Sequence, residues 1–229
     1  MNAAFDHLVV AAATLAEGVH WCETTLGRTP APGGAHALFG THNRLLRLDG
    51  AERTYLELLA INPTARPTRA APLKRWFDLD DPSLRERLRA HGPQPIHWVA
   101  RVDDIEAARA AWLAQGIDPG PVLTASRETP RGLLQWRITV RDDGARHFDG
   151  VLPTLIQWGG IHPVATLPAS GLQWRGLSLA HPRAAALNTA LDAIGIRLRA
   201  REGEALISAH LHDGQQTLDL LAKPQSNPT

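Results

Sequence analysis

Two stretches of this chain repeat one order of features: a short apolar run holding a histidine, followed at once by a helix start. Phe5-Asp-His-Leu-Val-Val10 carries His7 and leads to Thr14. Pro95-Ile-His-Trp-Val-Ala-Arg-Val-Asp-Asp-Ile105 carries His97 and runs into Asp103, Asp104 and Glu106. His97 follows His7 by 90 residues, and the glycines that end the two predicted helices, Gly27 and Gly116, are 89 apart. Element order recurring at a fixed period marks a duplicated unit. That constrains the fold more than any single motif does.

The first unit spans 1–62. Residues 5–10 alternate as a strand, with His7 and Val9 on one face. Thr14-Leu-Ala-Glu17 is a capping box that starts a helix running to about Leu26. Cys22 lies inside that helix and reads as a packing residue. Residues 30–35 read as a turn-rich connection. Two strand-like runs come next, about 36–48 and 54–61, joined by Asp49-Gly50, a hairpin signal. In the second run Tyr55, Glu57 and Leu59 share a face. An acid inside so apolar a strand is costly unless it is paired or bound to a cation.

Residues 63–94 form a connecting insert punctuated by prolines, with a short amphipathic helix at Ser83 to Ala90. The reading it favours is a surface linker; the sharper one is a flap over a pocket, using Trp76 and Phe77. The second unit spans 95–160. It has a helix at about 104–115 and strand-like runs at 122–126, 133–141 and 153–158, the last placing Leu155 and Gln157 on one face. A third, truncated copy spans 161–223. It has a strand to Ala180, a helix from Arg183 to Ile194 ending at Gly195, and strands near 196–201, 204–211 and 216–221. Gly176 stands where this copy would need its histidine. His210 and His212 share a strand face and read as surface. Residues 224–229 are expected to be a disordered tail.

A net charge of +1 without a basic run argues against a nucleic-acid partner. No stretch approaches the roughly 18 apolar residues of a membrane span, and no signal peptide is expected. A single cysteine excludes an intramolecular disulfide and points to the cytoplasm.

Taken together, Asp-His7-Leu-Val-Val, Leu-Glu57-Leu-Leu, Ile-His97-Trp-Val-Ala-Arg-Val-Asp-Asp-Ile and Leu-Ile-Gln157-Trp resemble the vicinal oxygen chelate superfamily, and most of all its glyoxalase-like domain subgroup. The match covers residues 5–160. The resemblance implies an α+β fold: two tandem βαβββ modules forming a cupped mixed sheet, with a third truncated βαβββ-like module at the C-terminus. It also implies a divalent metal (Mn, Fe, Co, Ni or Zn) in the cup, held by His7, Glu57, His97 and Gln157, and a metal-dependent lyase or isomerase acting on a small substrate with vicinal oxygens. Glu57 would exchange between ligand and base, since Gln157 replaces the glutamate of many relatives. Two other function classes stay open: a metal-free small-molecule binding protein, and an extradiol-type ring-cleaving dioxygenase. Tyr55, Asn43, Arg44 and Arg101 are the candidate substrate-binding residues; the plain reading of Arg44 is a surface arginine. Family members often dimerise to complete the cup, whereas here two modules can pair within one chain.

Overall fold

The computed structural model describes residues 2–129 and 132–222; the expected tail at 224–229 lies outside them. The first unit consists of β1 (Ala4–Ala11), α1 (Leu15–Leu26), β2 (Ala31–His36), β3 (Thr41–Leu48) and β4 (Thr54–Ile61). The insert holds α2 (Pro82–His91). The second unit has β5 (Gln94–Arg101), α3 (Ile105–Leu113), β6 (Val122–Thr129), β7 (Gly132–Thr139) and β8 (Thr154–Trp158). The third has β9 (Gln173–Ala180), α4 (Ala184–Ala193), β10 (Ala200–Arg201), β11 (Leu206–His212) and β12 (Thr217–Leu221).

The duplication is visible in the hydrogen bonding. One eight-stranded sheet runs β2-β3-β4-β1-β5-β8-β7-β6. Within each unit the first strand lies parallel to the last, β1 on β4 and β5 on β8. The two units join where β1 and β5 pair antiparallel, with Val9 opposite His97 and His7 opposite Val99. The third unit forms a separate four-stranded sheet, β10-β9-β11-β12.

Capping reflects local chemistry. Thr14 accepts from the Glu17 amide, and Gly27 closes α1 in the left-handed region. Asp104 accepts from the amides of Glu106 and Ala107 at the start of α3. Residues 31–36, expected as a turn, are instead the edge strand β2. A Cβ on Gly33 would lie 2.0 Å from Asn43 Oδ1, so a side chain there would hold β2 away from β3. The expected strand at 196–201 shrinks to the two residues of β10.

The curled sheet separates two apolar layers. Leu8, Val10, Leu56, Trp98 and Leu155 face the helices. The same cluster continues through Leu187, Leu191, Ile207 and Leu211 of the third unit. Trp112 is fully buried at this joint and donates from its indole to Ala190 O across 2.8 Å. Phe5 stacks on Trp174 with centroids 4.1 Å apart. On the concave side Val9, Leu59, Val99, Trp136 and Ile156 face inward, joined by Trp76 and Phe77 of the insert. The insert connects the two units and packs its aromatic pair, Trp76 and Phe77, against the concave side. No helix among the described residues is long and apolar enough to cross a membrane.

Trp112→Phe should cost about 1–3 kcal/mol, because it strands a buried carbonyl while keeping most of the packing. Trp112→Ala should cost about 3–5 kcal/mol. Urea unfolding checks both. Equal effects of the two variants would mean that the Ala190 contact contributes nothing.

Candidate functional site

The cup is built around His7. The β1–β5 register shifts between Phe5 and His7, and this irregularity brings Asp6 to the same side as its neighbour. Asp6 is wholly buried. His7 Nδ1 lies 2.7 Å from Asp6 Oδ1, while Trp158 Nε1 and His162 Nε2 reach Oδ2 at 2.9 and 3.1 Å. Burial alone would raise the Asp6 pKa, but the bonds from His162 and His7 outweigh it and hold the carboxyl down at about 2. An ionised Asp6 can only accept, so His7 donates to it from Nδ1 and turns Nε2 inward.

That nitrogen faces Glu57. His7 Nε2 is 3.6 Å from Glu57 Oε2, and both side chains are buried. Glu57 Oε1 accepts from Asn43 Nδ2 at 2.5 Å. Asn43 is fixed in turn, since its Oδ1 accepts from the Gly34 amide at 2.8 Å and its Nδ2 also reaches His36 Nε2 at 3.3 Å. His36 uses Nδ1 against Thr41 Oγ1 at 3.0 Å. Burial pushes the His36 pKa down to about 4, against a smaller upward pull from Glu57. Tyr55 stacks on His7 at 4.5 Å between centroids, and burial above all raises its phenol well above 10. The cavity these groups line encloses about 410 Å³ with its mouth counted; Trp136, Trp158 and Phe77 form apolar walls.

The four expected metal ligands are not brought together as one set. His97 shares the concave face, but both its nitrogens are engaged: Nδ1 lies 2.8 Å from Gly150 O and Nε2 lies 3.0 Å from Thr154 Oγ1. A carbonyl can only accept, so Nδ1 donates and the Nε2 lone pair is taken by the threonine hydroxyl. Burial drives the His97 pKa down to about 3, helped by the Arg146 charge. Gln157 lies on the opposite face of β8. It donates to Asp103 O at 2.7 Å and accepts from the Ile105 amide at 3.2 Å, at the start of α3. Register explains this. Val9 pairs with Glu57 in the first unit, and Val99 pairs with Thr154 in the second, so Thr154 holds the place that corresponds to Glu57. Among the described residues no three His, Cys, Asp or Glu side chains converge as a metal site. The expected donor set therefore does not fit a divalent ion as arranged here.

Of the expected substrate-binding residues, Asn43 and Tyr55 line the cup. Arg44 does not: Asn43 and Leu45 point inward, and strand alternation turns Arg44 away. Arg101 reaches back to Phe5 O at 2.5 Å, outside the cavity. Two cup residues escaped sequence reasoning: His36 and Arg127. The alternation of Leu123, Ala125 and Arg127 in β6 was the available signal for the last. Cys22 is buried, with its thiol pushed up to about 12, chiefly by that burial.

The family model described as Glyoxalase-like domain matches residues 5–195. No curated protein matches the chain. Among solved structures, a hypothetical protein from Staphylococcus aureus gives a TM-score of 0.58 at 14% identity, covering 96% of this chain and 85% of that one. Methylmalonyl-CoA epimerase from Mycobacterium tuberculosis gives 0.40 at 16% identity, covering 70% of this chain and 90% of that one. A variant of Streptomyces coelicolor methylmalonyl-CoA epimerase, in complex with 2-nitronate-propionyl-CoA, gives 0.43 at 19%, covering 69% and 96%. At 14% identity the likeness to the Staphylococcus aureus protein is one of fold.

The buried histidines set a pH dependence. His36 and His97 resist protonation in the folded chain, at about 4 and 3 against 6.5 unfolded. Between those limits the unfolded chain binds more protons, so stability falls as pH drops below about 6.5. Asp6 acts in the same direction from 3.8 down to about 2. The urea midpoint should fall between pH 7.5 and 4.5 by the equivalent of a few kcal/mol, on the order expected for such shifts. His97→Gln should flatten that slope. An unchanged slope would mean that His97 is not buried as described.

Proposed function

We propose, from the premise that the chain belongs to the glyoxalase-like domain family of the vicinal oxygen chelate superfamily, that its cup is the proton-transfer site of an isomerase or lyase for a small substrate with adjacent oxygens. The observation that carries this reading is the approach of Glu57 Oε2 to His7 Nε2 at 3.6 Å, with Asp6 behind the imidazole. Two basic lone pairs face one narrow, apolar-walled space. A carbon acid placed there meets a base on arrival.

Glu57 is the base in this reading. Asn43 holds one of its oxygens, which leaves Oε2 to take a proton from the carbon beside a carbonyl and to return it to the neighbouring carbon. His7 takes the hydroxyl proton of the substrate on Nε2 and returns it to the former carbonyl oxygen, so the carbon-bound and the oxygen-bound proton are both accounted for. If it becomes charged, the Asp6 carboxylate stabilises the imidazolium, as an acid–histidine pair does in other active sites. Tyr55 keeps its hydroxyl protonated and holds the His7 ring flat. Trp76 and Phe77 exclude water from above, which strengthens each of these interactions. No step is assigned to a metal, because only His7 and Glu57 of the expected set converge, whereas catalytic zinc sites, for comparison, keep about three protein ligands.

The test is deuterium exchange at the α-carbon of a panel of 2-hydroxy and 2-oxo carbonyl compounds, monitored by NMR in D₂O. The native protein should exchange one class, and Glu57→Gln should slow that exchange by about 10²- to 10⁴-fold. Full activity in Glu57→Gln would overturn the assignment. Elemental analysis of untagged protein runs beside it. About one divalent ion per chain, lost in a His7→Ala/His97→Ala double variant, would replace this reading with the metal-dependent one. Oxygen uptake with catechols would favour the dioxygenase class. Saturable binding without exchange would leave a binding protein.

A further inference from the structure

The two edge strands of the eight-stranded sheet, β2 and β6, meet at the cup because the sheet curls. Their meeting point is Gly34 against Arg127. A Cβ on Gly34 would lie 2.2 Å from Arg127 Nη1 and 3.0 Å from its Cδ, so the guanidinium occupies the volume that a β2 side chain would fill. Arg127 lines the same cavity as His7, Asn43 and Glu57. Its charge reaches His36 and Tyr55, where it acts to lower both pKa values. Arg75, Arg141 and Arg146 are tied to carboxylates. Arg127, by contrast, forms no ion pair with any described residue.

We propose that Arg127 anchors a carboxylate on the substrate, so that the site takes small 2-oxo or 2-hydroxy acids rather than neutral dicarbonyl compounds. This rests on the reading of the cup as a proton-transfer site. A guanidinium offers a planar fork that matches a carboxylate with two parallel hydrogen bonds. Within apolar walls that pairing is stronger than in water. The other charges of the cup exclude the reverse orientation: Glu57 repels an anion, and the charge of Asp6 is already met by His7, Trp158 and His162. An acid bound head-on to Arg127 extends C2 and C3 into the remainder of the cavity, where Glu57 stands, so that the C–H next to a carbonyl (C2–H of a 2-hydroxy acid, C3–H of a 2-oxo acid) is the one offered to the base.

Calorimetry at fixed ionic strength, with pyruvate, lactate and the neutral butane-2,3-dione as probes, tests the proposal. The native protein should bind the two acids saturably and the neutral compound more weakly. Arg127→Met should weaken acid binding by about 10- to 100-fold, the usual worth of a charged hydrogen-bonded pair, and leave the neutral probe unchanged. Gly34→Ala is the second variant. Its new methyl is nearest the Arg127 side chain, at Nη1, Cδ and Cζ, so it should displace the guanidinium and reproduce the loss at an unchanged melting temperature. Glu57→Gln should bind the acids at least as well as the native protein while failing in proton exchange, which separates failure of this proposal from failure of the proton-transfer reading. Equal binding of acid and neutral probes, no binding of either, or full acid binding in both Arg127→Met and Gly34→Ala would overturn it.

Discussion

A buried carboxylate with nothing but donors around it is the constraint on which the cup depends. Asp6 has no access to water, and an isolated charge in that position would cost many kcal/mol. His7, Trp158 and His162 offset that cost together. They come from β1, from β8 and from the segment leading to the third unit, so one carboxylate ties both halves of the sheet to that segment. Its second effect is chemical. By accepting from Nδ1–H it orients the His7 ring and turns Nε2 toward Glu57.

The remaining polar groups of the cup are organised with the same economy. Asn43 spans Glu57, His36 and the β2 backbone, which settles the orientation of its amide. Burial holds His36 and His97 neutral, so neither adds positive charge to the cavity at neutral pH. Arg127 is then the cation that faces Glu57 across an aromatic-walled space. Glu57, His7 and Arg127 thus line the same cavity, within aromatic walls.

The two units are alike in topology and unlike in chemistry. The first keeps an acid next to its histidine lone pair. The second places Thr154 at the corresponding register, and the threonine hydroxyl occupies the lone pair of His97. His97 thereby becomes a structural bond between β5 and the turn before β8, where Gly150 O accepts from its Nδ1–H. The third unit is different again: with Gly176 at the place of the histidine, its strands and helix contribute apolar side chains to the convex layer, and it reaches the cup through His162 at its start.

Much of this was legible in the order of residues. Alternation put Glu57 and Tyr55 on one face of their strand and Val99 with His97 on another. Threonine and aspartate caps marked the starts of α1 and α3, and repeated glycines marked the duplication. These signals are local: a strand reverses face at every residue, and a cap bonds within a few residues of itself. Three features could not be read that way. Gln157 and Leu155 do share a face, but only the pairing of β8 with β5 decides that this face meets the helices. Asp6 enters the cup through an irregular register that no composition announces. Arg127 and Gly34 lie far apart in the chain and touch only because the whole sheet closes on itself. The sequence by itself determined the elements and their alternation, since those depend on neighbours along the chain. Tertiary structure alone decided which faces turn inward and which distant side chains meet, since that depends on register and curvature summed over eight strands.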